Sequence, residues 1–310
     1  MPETRKQHYV PQCYLRQFAC EKPGSPRVFV YDKHSKKTFC SEIKNVAEQR
    51  DFYKIGDSKF FIPVPDNDPL YFENLFSRCF ENQIPTIINH VKMLHTMVVP
   101  DKEIISYEMK KSLSVLLQVQ LFRTPQARSF IRERAEPIWS AEEERVRKAI
   151  HDKGDFPDKE KYLNQLDNFN DIEPLIKYYS LVFCTDPDVI ESHANYLIKN
   201  HAWVIYDNLL HKSCPFITSD NPVVMYNLAN EDMGLGTSNG IDVDDTAFFF
   251  PLTPRFLLTL YHKRNLIGHY SECYENRIQS VDEYSFISKM NSIQHIQCNR
   301  FCYSNLPFEG

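Results

Sequence analysis

Glycine is scarce, with eight in 310 residues. Dinucleotide-binding turns and phosphate loops draw on several glycines at fixed spacing, so neither is expected here. The densest stretch, Gly234-Leu235-Gly236 with Gly240 and then Asp242-Val243-Asp244-Asp245, opens no helix and reads as an acidic loop. H-E-x-x-H, G-x-S-x-G and the protein-kinase set are missing as well. No apolar run is long enough to span a bilayer, and no charged start leads into an apolar signal segment. A soluble, cytoplasmic chain without membrane partners is the expectation. The nine cysteines are odd in number and contain no C-x-x-C, the closest pair being Cys298 and Cys302. Reduced thiols are expected, not a disulfide framework or structural zinc.

What the chain does have is ordinary globular composition, 42% hydrophobic and 25% charged, with 22 Phe and 17 Tyr to fill a core. Nothing reads as an interdomain linker, so a single domain over 1–310 is expected. The net charge of −5 argues against overall basicity as a means of coating nucleic acid. Its distribution is uneven, however. Residues 1–60 hold twelve Lys/Arg against seven Asp/Glu, which makes this segment +5 and the remainder −10. Such a segment suits a nucleic-acid or nucleotide partner, and a solvated surface would look the same.

The pattern of elements points to an α+β fold, an antiparallel sheet with N-terminal hairpins and a central helical region packed against it. Pro11 suits the start of a helix on which Tyr14, Leu15 and Phe18 share a face. Segments 27–32 and 37–42 read as one hairpin, and 52–55 with 59–62 as a second. Asp68-Pro69 opens a helix to about His95. Another covers roughly 102–123, and Thr124-Pro125 restarts it to about Ile150. A polar loop is expected over 151–171 and helices over 172–200. Strands then follow at 203–206, 215–218, 223–226, 247–250 and 256–261, a helix near 271–298, and a short strand at 301–303.

Polar residues interrupt this pattern at a few places. His8 stands just ahead of the first helix, with Gln12 and Arg16 four apart on its polar face. Free N–H groups at such an end favour an anion, although a docked helix with His8 as a local cap would give the same sequence. On the helix after Pro69, Glu73 falls within the apolar stripe and Glu81 at its edge. A carboxylate facing a core must be neutralised, paired or metal-bound. Pro85 cannot donate to the Glu81 carbonyl, so a kink is expected there. Arg123, with Gln120 one turn earlier, offers either an ion-pair partner or a phosphate clamp. Ser219-Asp220-Asn221-Pro222 leaves a strand in a tight turn. Asp220 there could ligate a metal or act as a base, with Asn221 orienting it, or the turn could simply bond itself. Asp32 with Glu42-Ile43-Lys44 is a weaker echo of a nuclease layout that lacks its Pro-Asp.

His8-Tyr-Val-Pro-Gln-x-Tyr-Leu-Arg-x-Phe, Asp51-Phe52-Tyr53, Glu73…Glu81, Gln120-x-x-Arg123-Thr-Pro, Thr218-Ser-Asp-Asn-Pro-Val and Pro251-Leu-Thr-Pro254 occur in this order. In this the chain resembles the largely bacterial family 4238 of domains of unknown function, from residue 8 to about 304. Cys13 stands where that family often has an aromatic residue. The resemblance implies that these separated motifs belong to one fold and one pocket, and it assigns no activity. It carries over His8, Gln12, Glu81, Arg123, Asp220 and Asn221.

Two readings follow. In the first, His8, Glu81 and Asp220 hold a divalent metal (Mg, Mn or Zn) and perform the catalysis, while Arg123, Gln12, Arg16, Asn221 and Gln120 bind substrate. The reaction would be phosphodiester hydrolysis of a nuclease type, in bacterial defence. In the second, the same groups form a recognition pocket of a nucleic-acid-, nucleotide- or protein-binding sensor that turns nothing over.

Overall fold

The computed structural model describes residues 6–21, 23–54, 70–96, 105–168, 172–231, 233, 234, 236, 239–265 and 274–308. Strands β1 (Lys6–His8), β2 (Arg27–Asp32), β3 (Lys37–Glu42) and β4 (Glu48–Arg50) come first, with the short helix α1 (Gln12–Leu15) between β1 and β2. The helical region holds α2 (Tyr71–Phe76), α3 (Gln83–Thr96), α4 (Tyr107–Phe122), α5 (Pro125–Asp152), α6 (Lys159–Asn168), α7 (Glu173–Thr185) and α8 (Pro187–Asn200). Strands β5 (His201–Asn208), β6 (Thr218–Ser219), β7 (Val224–Asn227), β8 (Thr246–Pro251), β9 (Phe256–His262) and β10 (Arg277–Val281) follow. Helix α9 (Tyr284–Gln297) and strand β11 (Phe301–Ser304) complete the order. The protein is α+β.

The main sheet runs β10-β5-β9-β8-β7 and is antiparallel except for the parallel pair β10–β5. Strand β5 is buried along nearly its whole length, Trp203 and Ile205 completely, as befits an interior strand covered on both faces. A second sheet, β3-β2-β11-β6, joins the N-terminal hairpin to β11. One hydrophobic core takes in Tyr14, Leu15 and Phe18 after β1, Leu113 and Leu117 of α4, Trp203 of β5 and Tyr303 of β11. The tyrosine hydroxyl of α1 anchors it to both sheets: Tyr14 donates to the Pro251 carbonyl at 2.6 Å and lies 2.7 Å from Thr218 Oγ1.

Three helix boundaries follow their caps. Ser106 Oγ accepts from the Met109 N–H, Thr124 Oγ1 from Ala127, and Asp186 Oδ1 from Asp188 and Val189, each opening a helix. Two expectations are corrected. The span 151–171 is not all loop, because Lys159–Asn168 forms α6. The stretch near 271–298 is not one helix: Arg277–Val281 pairs with β5, a long-range ladder that local periodicity does not announce, and α9 starts only at Tyr284. The first hairpin, with the register Arg27↔Glu42 to Asp32↔Lys37, pairs with β11, whose other neighbour is β6. Of the second expected hairpin, Phe52 and Tyr53 stand in a turn, and the rest from Ile55 to Ile62 lies outside the described residues, as does Asp68-Pro69.

Candidate active-site cleft

The helix carrying Glu81 widens one turn before Pro85. Between α2 and α3, Ser77–Glu81 forms a π-helical turn, the usual way a helix absorbs a residue that cannot take its place in the ladder. The carbonyl that Pro85 leaves without an N–H is taken by the Cys13 thiol of α1, Sγ to O 3.5 Å. One turn up, the Gln83 amide caps the Cys79 carbonyl at 2.7 Å. A wide turn held in this way swings the Glu81 side chain toward β1.

Beneath it lies Arg123, 2% exposed, at the C-terminal end of α4. Its Nη2 donates to Glu81 Oε1 at 2.9 Å and to the His8 carbonyl at 2.8 Å, and its Nε donates to the Tyr53 hydroxyl at 2.9 Å. That hydroxyl in turn donates to the His8 carbonyl at 2.9 Å, and the Tyr53 N–H donates to Gln7 Oε1 at 2.6 Å. The guanidinium also stands 4.6 Å from the centre of the Phe76 ring. Arg123 is therefore the buried counter-charge that its helix position suggested, and these donors are spent on the protein. It is not placed to clamp a phosphate. Gln120 is likewise internal, donating to the Tyr9 carbonyl at 3.1 Å.

Above this network opens a cleft of about 680 Å³ lined by Lys6, His8, Gln12, Lys44, Asn45, Leu70, Glu73, Asn74, Ser77 and Glu81. Burial lowers the basicity of the His8 imidazole. A hydrogen bond to the Lys44 backbone and the nearby carboxylates of Glu48 and Glu81 pull the other way but do not outweigh it. The ring is thus neutral at pH 7, and its Nε2 is buried with no hydrogen-bond partner. Across the cleft, burial raises the Glu73 carboxyl toward its neutral form, a hydrogen bond with Gln7 notwithstanding, and Glu81 adds to the rise. Glu73 Oε2 also has no partner. A free imidazole nitrogen and a carboxyl biased toward protonation share one cavity.

The Thr218–Asn221 motif lies elsewhere. Asp220 is completely buried, and its carboxylate accepts the N–H groups of Asn299 (2.8 Å), Arg300 (2.7 Å) and Phe301 (2.9 Å). It fixes the turn between α9 and β11. Asn221 continues the clasp, donating from Nδ2 to the Gln297 carbonyl at 3.0 Å. Its own carbonyl accepts from Gln294 at 2.8 Å. Neither residue lines the cleft, which corrects the expectation that Asp220 joins His8 and Glu81 there. Arg16 is exposed on the outer side of its 3-10 turn and is not among the cleft residues either. Among the described residues, no three His, Cys, Asp or Glu side chains are gathered as a metal centre.

Of the expected site residues, His8, Gln12 and Glu81 share the cleft, and Arg123 positions two of them. Sequence reasoning missed Lys6, Lys44, Asn45, Asn74 and Ser77. It also gave Tyr53 no role in holding His8. The β1–β4 pairing that places Lys6 and His8 opposite Arg50 and Glu48 involves three-residue strands of polar sequence, which carry no alternation to read.

A family model described as "Protein of unknown function (DUF4238)" matches residues 6–306, nearly the whole chain. No curated protein and no solved structure matches it.

Proposed function

The chain belongs to the DUF4238 family, and for it we propose hydrolysis of phosphodiester bonds, in nucleic acid or nucleotides, within the cleft beside His8. One observation carries the reading: His8, its imidazole made less basic by burial and its Nε2 without a partner, lines the same cavity as Glu73, whose carboxyl burial makes less acidic. Two titratable groups displaced in opposite directions are the arrangement that acid–base catalysis requires. His8 Nε2 takes a proton from water as its oxygen bonds to phosphorus. Glu73 gives a proton to the leaving oxygen as the old P–O bond breaks. Lys6 and Lys44 on the wall meet the negative charge of the substrate. A divalent cation (Mg, Mn or Zn), if one takes part, would have Glu81 as its protein carboxylate beside the substrate phosphate, since His8 and Glu73 are committed to proton transfer, and would polarise the phosphoryl oxygen.

The bonds from Tyr53 and Arg123 end on the His8 carbonyl, whereas the ring bonds the Lys44 backbone, a bond that a glutamine amide can replace. His8→Gln therefore separates chemistry from folding. Purified protein should be screened on DNA, RNA, linear and cyclic nucleotides with each metal and with EDTA. Turnover in the wild type that is lost in His8→Gln and Glu73→Gln, with unchanged melting, supports the reading. Binding without turnover on every substrate would reject it in favour of a recognition module.

A further inference from the structure

The β1–β4 ladder has two faces, and the charged one leads to the cleft. In an antiparallel pair, directly opposed residues share a face, and so do residues two apart along a strand. Lys6 pairs with Arg50 and His8 with Glu48, whereas the intervening Gln7–Gln49 pair belongs to the other face. On that other face Gln7 is buried and Gln49 exposed. Lys6 and Arg50 thus stand side by side one step outward from His8, about 7 Å along the strands. Their side chains are 56% and 69% exposed. Lys44 stands on the cleft wall nearby, 64% exposed.

Each cation has a carboxylate at hand: Glu48 on Lys6 at 2.7 Å, Glu42 on Lys44 at 2.7 Å and Asp51 near Arg50 at 3.6 Å. These pairs are open to water and contribute little, so a phosphate can take over the cations. A ligand confined to the cleft would not reach Arg50, which is not among the cleft residues. A chain of phosphates would, because the step from His8 to the Lys6–Arg50 pair is comparable to the step between neighbouring phosphates on an extended strand. A cavity of about 680 Å³ is of small-molecule size and takes one nucleotide, not a duplex.

We propose that the occupant is a single strand of nucleic acid running outward along the β1–β4 ladder, with the phosphate next to the one at His8 held between Lys6 and Arg50. The proposal deepens the hydrolytic reading of the cleft and rests on it for the strand's position.

The test is binding of a short fluorescent single-stranded RNA, and of its DNA counterpart, by anisotropy across a salt series. Lys6→Ala, Arg50→Ala and the double variant alter only exposed side chains. Each single change should lower the slope of log K against log salt by about 0.7, which at about 0.1 M salt is roughly fivefold weaker binding. The double variant should show about twice the change in slope. Wild-type affinity and slope in the double variant would overturn the proposal, as would a mononucleotide that binds as tightly as the strand. Binding with the expected slopes but no cleavage would sustain the path along the ladder and refute hydrolysis, so the two can fail separately.

Discussion

Replacing Asp220 by Ala should unfold the protein more readily and should not act by emptying a catalytic site. The carboxylate is fully buried and accepts three backbone N–H groups, those of Asn299, Arg300 and Phe301. Alanine leaves all three without an acceptor. At about 1 kcal/mol each for partly buried donors, the loss is about 3 kcal/mol at neutral pH. The size of the gap should depend on pH, with a definite sign. Burial lifts this carboxyl from 3.8 to about 6, against the lowering effect of the same three hydrogen bonds. A pKa raised on folding means that the folded state holds the proton more tightly. The associated stability is fully present below the unfolded pKa and is lost as pH rises through about 6. The displacement corresponds to about 3 kcal/mol. Urea titrations of wild type and Asp220→Ala between pH 4 and pH 7 should therefore show a gap that narrows as pH rises. A gap that widens with pH, or variants with equal midpoints throughout, would refute this account of Asp220.

Arg123→Ala removes the buried partner of Glu81 and the donors to the His8 carbonyl and the Tyr53 hydroxyl, so it should cost about 3 kcal/mol in chemical denaturation. Tyr53→Phe keeps the ring and loses the hydroxyl that bridges Arg123 to His8; a loss of about 1–2 kcal/mol is expected by the same assay. Alkylation followed by mass spectrometry at pH 8 should modify exposed Cys79 well before Cys13, whose thiol is pushed up to about 11 chiefly by burial, and before Cys184, at about 12 for the same reason. If the cleft hydrolyses phosphodiesters as proposed, kcat/KM should follow a bell. Its limb through His8 should lie below the ordinary imidazole range and its limb through Glu73 above the ordinary carboxyl range.

The sequence was most legible where one short signal sufficed. Thr124-Pro125 marks a helix start with both a cap and a proline, and the helix begins there. Alternation over 27–32 and 37–42 gives a hairpin, and these two strands pair. Glu81 and Arg123 were recognisable as an awkward acid and its counter-charge, because a buried carboxylate has few alternatives. Asp220 was not legible. A polar residue in a turn satisfies either the backbone or a ligand, and the N–H groups that choose between them belong to residues about 80 positions later. Lys6 and Lys44 escaped notice because exposed lysines are unremarkable until the backbone sets them around one cavity.

Strand β11 lies between β2 and β6, and its partner β2 precedes it by about 270 residues. During synthesis the hairpin β2–β3 therefore emerges with one edge bare and waits through most of translation for its neighbour. The turn that introduces β11 is the one Asp220 holds, so the edge is covered only once that carboxylate has found its three N–H groups. Pairing across so large a sequence separation is slow to form and exposes sheet edges meanwhile. That edge of β2 is thus made well before it is covered, and nascent chains depend on whatever shields it in the interval.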